Sequence, residues 1–270
     1  MCSHEQRPQG ADMTSGVGQT SHRCHAGSSA LSDVKAETRA ALAAMCRPRR
    51  LGAGQTAIHE GETSDYVGCV LSGILRLQKT LADGRQHIVG LLFEGDMFGR
   101  VFDGASDFSV EAATDAEVCA FPRRRFEELL SHAPDLDRAL LMNILTELDR
   151  ARDWMVLLSN RKISSRLAGF LVLLCSRFAS VDRLVELRPD GFEIRVPISR
   201  TDLAHLLGTR TESISRAFHW LEDEGDIEIL GPDRVLVRDV SALASRTGDG
   251  ETDAIASLKA VLASRRQASG

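Results

Sequence analysis

The 270-residue chain has little aromatic content, with one Tyr, two Trp and ten Phe, and only seven Pro. Its strictly apolar runs are short, as at Phe170–Cys175. A helix spanning a bilayer needs roughly 20 apolar residues, so no membrane contact is expected. The opening residues, Met1 to Arg7, contain no apolar h-region. A secretory leader is therefore not expected, and the cytoplasm is the expected location. The six cysteines, Cys2, Cys24, Cys46, Cys69, Cys119 and Cys175, include no CxxC pair. That scatter argues against a disulfide framework in a cytosolic chain and against a compact zinc site. Cys69, Cys119 and Cys175 read as small buried hydrophobes. Enzyme signatures are missing too: there is no P-loop, no GxGxxG, no HExxH and no GxSxG between strand and helix. We expect no enzyme and no resident cofactor or metal. A net charge of −5 excludes a globally basic nucleic-acid binder but permits a local basic face.

What is present describes a globular protein. Apolar residues make up 43% and charged residues 26%, in a chain long enough for one large or two modest domains. Residues 1–30 read as a disordered tail, rich in Gly, Ser and Gln. Residues 246–270 read as a second, mobile tail, with a weak amphipathic pattern at Ile255, Leu258 and Leu262. Within 31–133, short apolar runs at Tyr66–Leu71, Ile74–Leu77, Ile88–Phe93 and Val118–Phe121 alternate with turns at Ser72-Gly73, Asp83-Gly84 and Glu94-Gly95-Asp96. Asp-Gly between strand-like runs signals a hairpin, and the spacing suggests a barrel or sandwich.

The period then changes. Leu136, Leu140, Ile144, Leu148, Met155 and Leu158 recur mostly three or four residues apart, which predicts a helix over 134–160. A helix of that length is about 38 Å long, and its stripe suits pairing with a second copy. Leu140, Ile144, Leu148 and Met155 are the expected dimer contacts. Asp149 and Asp153 lie near that seam, tuning it by repulsion or simply solvated. A second helix follows over 163–180, with Leu167, Phe170, Leu171, Leu174 and Phe178 on one face.

Residues 161–245 carry the functional signal. Ser199 can cap a helix that Gly208 ends, and Thr211 can cap the next. Ala204 precedes Gly208, and Ile214 follows it. A small residue, a turn glycine and a later apolar plug are what a helix-turn-helix requires. Glu212, Ser215 and Arg216 share one face of the second helix at i, i+3 and i+4. Near a helix N-terminus these side chains can reach base edges: Arg bonds guanine O6 and N7, and Glu accepts from cytosine N4. Arg200, Arg210 and Thr211 complete the expected DNA-binding set. Ile227–Leu230, Gly231-Pro232-Asp233 and Val235–Val237 read as two strands around a tight turn. Residues 161–188 hold six basic and two acidic residues, and 195–220 hold four and two, so the footprint is local. Acids gather later, at Glu222, Asp223, Glu224, Asp226 and Glu228.

This order resembles the CRP/FNR family of bacterial transcription regulators, over roughly residues 40 to 240, and within it the FnrL- and FixK-like branches. The stretches DGRQHIVGLL, FGR, ELDRARDWMVLL and TESISR carry the likeness. The resemblance implies an α+β chain with a cyclic-nucleotide-binding-like β-roll, a long dimerisation helix and a C-terminal winged helix-turn-helix. It implies a homodimeric activator that partners RNA polymerase and binds double-stranded palindromic DNA with TTGAT-like half-sites. Arg216 would read the guanine, Glu212 the opposite cytosine and Ser215 a neighbouring thymine. Low-oxygen respiration, denitrification, nitrogen fixation or photosynthesis are the implied target genes.

Two departures qualify the likeness. Where the family binds the cyclic phosphate with Gly-Glu-Leu and a later Arg, this chain has GRVFDGASDFSV, with two Asp. An anionic phosphate would meet the wrong charge there. The iron-sulfur motif is degenerate: Cys119 takes the place of the barrel ligand and Cys24 that of a first N-terminal ligand, without close partners. A [4Fe-4S] cluster needs four thiolates, which Cys2 and Cys46 would have to complete. His22 and His25 flank Cys24, and His59 and His87 lie in the barrel, with nothing to select them as ligands. The alternative readings are a small-ligand, haem or redox sensor of the same fold with a different regulon, or a cluster-binding oxygen sensor of unusual cysteine spacing.

Overall fold

The apolar runs and glycine turns of the N-terminal half form eight strands in the computed structural model, which describes residues 31, 34–84, 86–102, 104–177 and 184–247. The readings placed on Cys2, Cys24, His22, His25, Phe178 and residues 255–262 lie outside the described residues. After α1 (Ala36–Met45), the strands are β1 (Arg47–Leu51), β2 (Thr56–Ile58), β3 (Tyr66–Ser72), β4 (Leu75–Thr80), β5 (Gln86–Leu92), β6 (Met97–Phe98), β7 (Ser109–Ala112) and β8 (Ala116–Pro122). They make two antiparallel four-stranded sheets, in the orders β1-β8-β3-β6 and β2-β7-β4-β5. Leu51, Val70, Leu75, Val110 and Val118 meet between the sheets. Gly73 turns β3 into β4 at φ +79°, where an added Cβ would stand 2.3 Å from the Asp115 carbonyl oxygen. No side chain fits that turn.

The chain then runs through α2 (Arg123–His132) into α3 (Pro134–Ser159). Pro134 lies at the helix start, where its missing N–H costs nothing, and Asp135 and Asp137 complement the positive end of the helix dipole. One face of α3 is buried through Leu136, Ala139, Asn143, Trp154 and Leu157. Its base joins a second core with Leu42, Cys69, Phe121 and Phe126. Arg150 ties the helix to the barrel through Asp96 at 2.5 Å. The outer face leaves Leu141, Met142, Ile144, Leu145, Leu148, Met155 and Val156 exposed, while Leu140 is half-buried.

The C-terminal half is α4 (Ile163–Arg177), β9 (Val185–Arg188), β10 (Gly191–Arg195), α5 (Arg200–Leu206), α6 (Thr211–Asp223), β11 (Glu228–Ile229), β12 (Arg234–Val237) and α7 (Val240–Ser245). Its sheet has the order β11-β12-β10-β9. The α4 face predicted as apolar is fully buried at Leu167, Phe170, Leu171 and Leu174. Strand β9 escaped the sequence reading, because Val-Glu-Leu-Arg has one buried side chain and three exposed ones.

Two expectations need correction. Cys46 and Cys119 form a disulfide, with Cα atoms 5.6 Å apart. Scattered positions in the chain did not mean scattered positions in space: β1 lies beside β8 with Pro48 opposite Cys119, which carries the end of α1 to it. Thr211 is not the cap of α6 but its first helical residue; the cap position belongs to Arg210, in extended conformation.

Candidate nucleic-acid interface

The interface is built from the turn outward. The Ser199 hydroxyl accepts a hydrogen bond from the Asp202 N–H at 3.0 Å, capping α5. Gly208 takes φ +64°, the left-handed conformation that ends α5. The Thr209 N–H then bonds the Ala204 carbonyl at 2.9 Å, closing the turn. Arg166 on α4 braces it, donating from Nη1 to the Leu207 carbonyl at 2.8 Å and from Nε to that of Asn160 at 2.8 Å. Ala204 and Ile214 meet in the angle between the helices, both almost wholly buried.

Helix α6 is strongly two-sided. Ile214, Ala217, Phe218 and Leu221 face the core. Glu212, Ser215 and Arg216 are exposed on the other side, and Arg210 is exposed just before them. The structure thus brings these four together on one surface, with Thr211 half-exposed at its edge. The Ser215 hydroxyl donates to the Thr211 carbonyl at 3.3 Å, so it already has an acceptor within the helix. Arg200 stands apart. Its guanidinium lies 3.3 Å from the centroid of the Phe218 ring, half-buried beneath α6. Burial pulls it below the usual arginine value, against the Asp233 carboxylate. Its geometry suits bracing of α6 by cation–π contact.

One residue on this surface escaped the sequence reading. His219 is exposed and one further turn along the face, at i+7 from Glu212, with Nδ1 3.5 Å from Glu222 Oε2. Helical spacing alone would have found it. The acidic cluster behind the helix is internally engaged: Arg246 meets Asp226 at 2.9 Å and Glu224 at 3.1 Å, and Arg238 meets Glu228 at 2.6 Å. Those acids carry less free negative field toward a phosphate backbone than their number suggests.

The interface is not isolated from the barrel. Ile74, Ile88, Leu91 and Phe93 from the barrel belong to the same continuous core as Ile214 and Phe218. Arg76 on β4 reaches both Glu111 on β7, at 2.5 Å, and Asp202 on α5. An open cleft of about 920 Å³ separates the β4–β5 hairpin, at Gly84, Gln86 and His87, from Arg210 and Ser213.

The loop that departs from the family's cyclic-nucleotide pattern carries its own counter-charge. Arg100 Nη1 sits 2.9 Å from Asp107 and donates to the Ala105 carbonyl at 3.2 Å. Cys119 is covalently occupied by Cys46, and Cys24 lies outside the described residues. Among the described residues, no group of three or more His, Cys, Asp or Glu is disposed to hold a metal. Nor is any described helix long and apolar enough to cross a membrane.

Residues 48–133 match a family model for the cyclic nucleotide-binding domain, and residues 165–246 one for the Crp-like helix-turn-helix domain. The transcriptional activator protein FnrL of Cereibacter sphaeroides is 35% identical over 74% of this chain and 80% of its own. The nitrogen fixation regulation protein FixK of Bradyrhizobium diazoefficiens is 35% identical over 66% and 72%. The solved structure of FixK2 from Bradyrhizobium japonicum superposes with a TM-score of 0.65 at 26% identity, covering 74% of this chain and 96% of that one. Similarity at this level runs through both halves and the helix between them, so the chain belongs to the CRP/FNR family of transcription regulators, not to a family of enzymes.

Proposed function

We propose that the protein is a homodimeric activator that reads TTGAT-like inverted repeats in the cytoplasm, through Glu212, Ser215, Arg216, Arg210 and Thr211. The observation that carries this reading is the two-sidedness of α6: its apolar face is locked into the core while Glu212, Ser215 and Arg216 stand exposed together. Arg216 bonds guanine, Glu212 accepts from the paired cytosine, and Ser215 meets the adjacent thymine. The exposed apolar stripe of α3, including Ile144, Leu148 and Met155, supports pairing with a second copy. Two reading helices about 34–36 Å apart then enter successive major grooves. Activation and nitrogen-fixation target genes follow the names of the relatives FnrL, a transcriptional activator protein, and FixK, a nitrogen fixation regulation protein; RNA polymerase as partner and low-oxygen target genes follow from the family resemblance alone.

The test is titration of the full chain onto a duplex carrying TTGAT and ATCAA half-sites, and onto a copy with both guanines replaced, at one salt concentration. The native chain should prefer the guanine duplex. Arg216→Ala should lose about 1–3 kcal/mol of that discrimination while keeping weak, salt-sensitive binding. Equal binding of both duplexes by the native chain would refute the base-reading assignment. Sedimentation of the free protein as a monomer at micromolar concentration would refute the dimer.

A further inference from the structure

The family likeness points Cys119 at a metal cluster, but the structure joins it to Cys46. A third sulfur is close by. Cys69 on β3 lies directly opposite Cys119 in the β3–β8 register. Opposed residues on antiparallel strands share a face, with Cβ atoms about 4.5–5.5 Å apart. Cys69 and Cys119 line a void of about 20 Å³ beneath α1, together with Arg39, Leu42 and Phe121, and Cys46 at the end of that helix is bonded to Cys119. The void has about the space of one water. Cys119 is wholly buried, whereas Cys46 is partly exposed, so a dissolved reagent meets Cys46 first.

Helix α1 is fastened at both ends. Its C-terminal cap residue is Cys46, bonded to β8. At the other end, the Lys35 N–H donates to Asp135 Oδ2 at 2.7 Å, in the first turn of α3. The core between them is continuous from Leu42 through Cys69, Cys119 and Phe126 to Leu136 and Ala139 of α3. A covalent change at Cys46 therefore acts on the root of the helix that carries the exposed apolar stripe.

We propose that Cys46 and Cys119 are a reversible redox site, oxidised by hydroperoxides and reduced by dithiols, that fixes α1 against the barrel and the root of α3. In oxidation, the Cys46 thiolate attacks the distal peroxide oxygen. The O–O bond breaks, Cys46 becomes a sulfenic acid, and the departing alkoxide or hydroxide takes a proton. The Cys119 thiolate then attacks the Cys46 sulfur and displaces hydroxide, which leaves as water. In total, two thiols and one hydroperoxide give one disulfide, one alcohol or water, and one further water. In reduction, a dithiol's thiolate attacks the accessible Cys46 sulfur and releases Cys119, which is protonated. The second thiol of the reductant then displaces Cys46 as its own disulfide closes. A chain that works beside DNA meets reducing conditions, where such a pair reports change rather than serving as a permanent staple.

The experiment uses the full chain reduced with dithiothreitol under argon, then given one equivalent of hydrogen peroxide, then reduced again. Free thiols are counted, crosslinked peptides are mapped by mass, and backbone hydrogen exchange is followed over residues 36–45 and 134–140. None of these readouts needs DNA, so the result is independent of the base-reading proposal. Two thiols should vanish on oxidation and return on reduction, with Cys46 and Cys119 in the linked peptide. Exchange in both segments should slow at least about fivefold in the oxidised form, the lower end of ordinary coupling between sites. Cys46→Ser, at a partly exposed position, should abolish both effects, and Cys69→Ser should keep both. Pairing of Cys2 or Cys24 in place of this pair would overturn the proposal. So would a Cys46–Cys119 link that leaves exchange over 134–140 unchanged.

Discussion

In the winged helix, the surface assigned to DNA lies within one helix and the residue before it, from Arg210 to Arg216. In the β-roll, decisive contacts span far greater distances in sequence: 73 residues for Cys46 and Cys119, and 100 for Lys35 and Asp135. The seam between the two regions has the longest reach, 126 residues from Arg76 to Asp202. Helical geometry fixes the first kind of contact without help from the rest of the fold. Sheet register and domain packing must both be right before the second kind exists. The difference teaches where a substitution stays local and where its effect travels.

The largest effect should come from emptying the shared core. Phe93 is almost wholly buried, and it belongs to the barrel by sequence but to the winged-helix core by packing. Phe93→Ala should cost about 3–5 kcal/mol. In urea, a single transition followed by Trp fluorescence and circular dichroism should split into two, as the regions lose their common core. One coincident transition in the variant would mean the two regions do not depend on this contact.

Next comes the ionic seam. Arg76→Ala leaves Glu111 and Asp202 facing each other with their shared cation gone. Removing one partner of a fully buried pair costs about 3–5 kcal/mol; here the side chains keep 13–16% exposure, and we expect about 2–3 kcal/mol from urea midpoints. Replacing all three by Met, Leu and Leu should recover much of the loss. A local contrast sharpens the comparison. Ser199→Ala removes the α5 cap and should cost about 1 kcal/mol, with hydrogen exchange quickened in α5 and unchanged in β3.

The smallest effect is in acid. The Lys35 N–H, joined by the Thr38 side chain, holds the Asp135 carboxyl below its ordinary value. A carboxylate depressed in the fold adds stability above its unfolded pKa of about 3.9, and that stability is lost as pH falls through the lower folded value. Asp135→Asn should therefore flatten the fall in stability below pH 4, measured by urea midpoints across pH 2–5. An unchanged acid slope would remove Asp135 as the tie between α1 and α3.

The readable parts of the molecule share a short period. The α3 stripe, the α4 face and the α6 division into Ile214, Phe218 and Leu221 against Glu212, Ser215 and Arg216 all follow from three- and four-residue spacing. Gly208 and Ser199 were legible because only particular residue types suit a left-handed turn and an N-cap. Arg200 was legible as a basic residue near the motif, yet its direction was not. Whether it points to solvent or lies on Phe218 depends on the packing of two helices. His219 was legible but unread. The partner of Cys119 was not legible, because nothing in the local sequence says which strand lies beside β8.

Sequence alone determined the order of a β-rich half, a long striped helix and a helix-turn-helix. It also determined the chemistry presented by α6, since these features need only periodicity, turn propensity and side-chain type. Tertiary structure decided that the barrel lends Phe93 to the winged-helix core, that Arg76 bridges to Asp202, and that Cys46 meets Cys119. Each of these joins residues whose closeness is set by register and packing across the whole chain, and no local pattern encodes that distance.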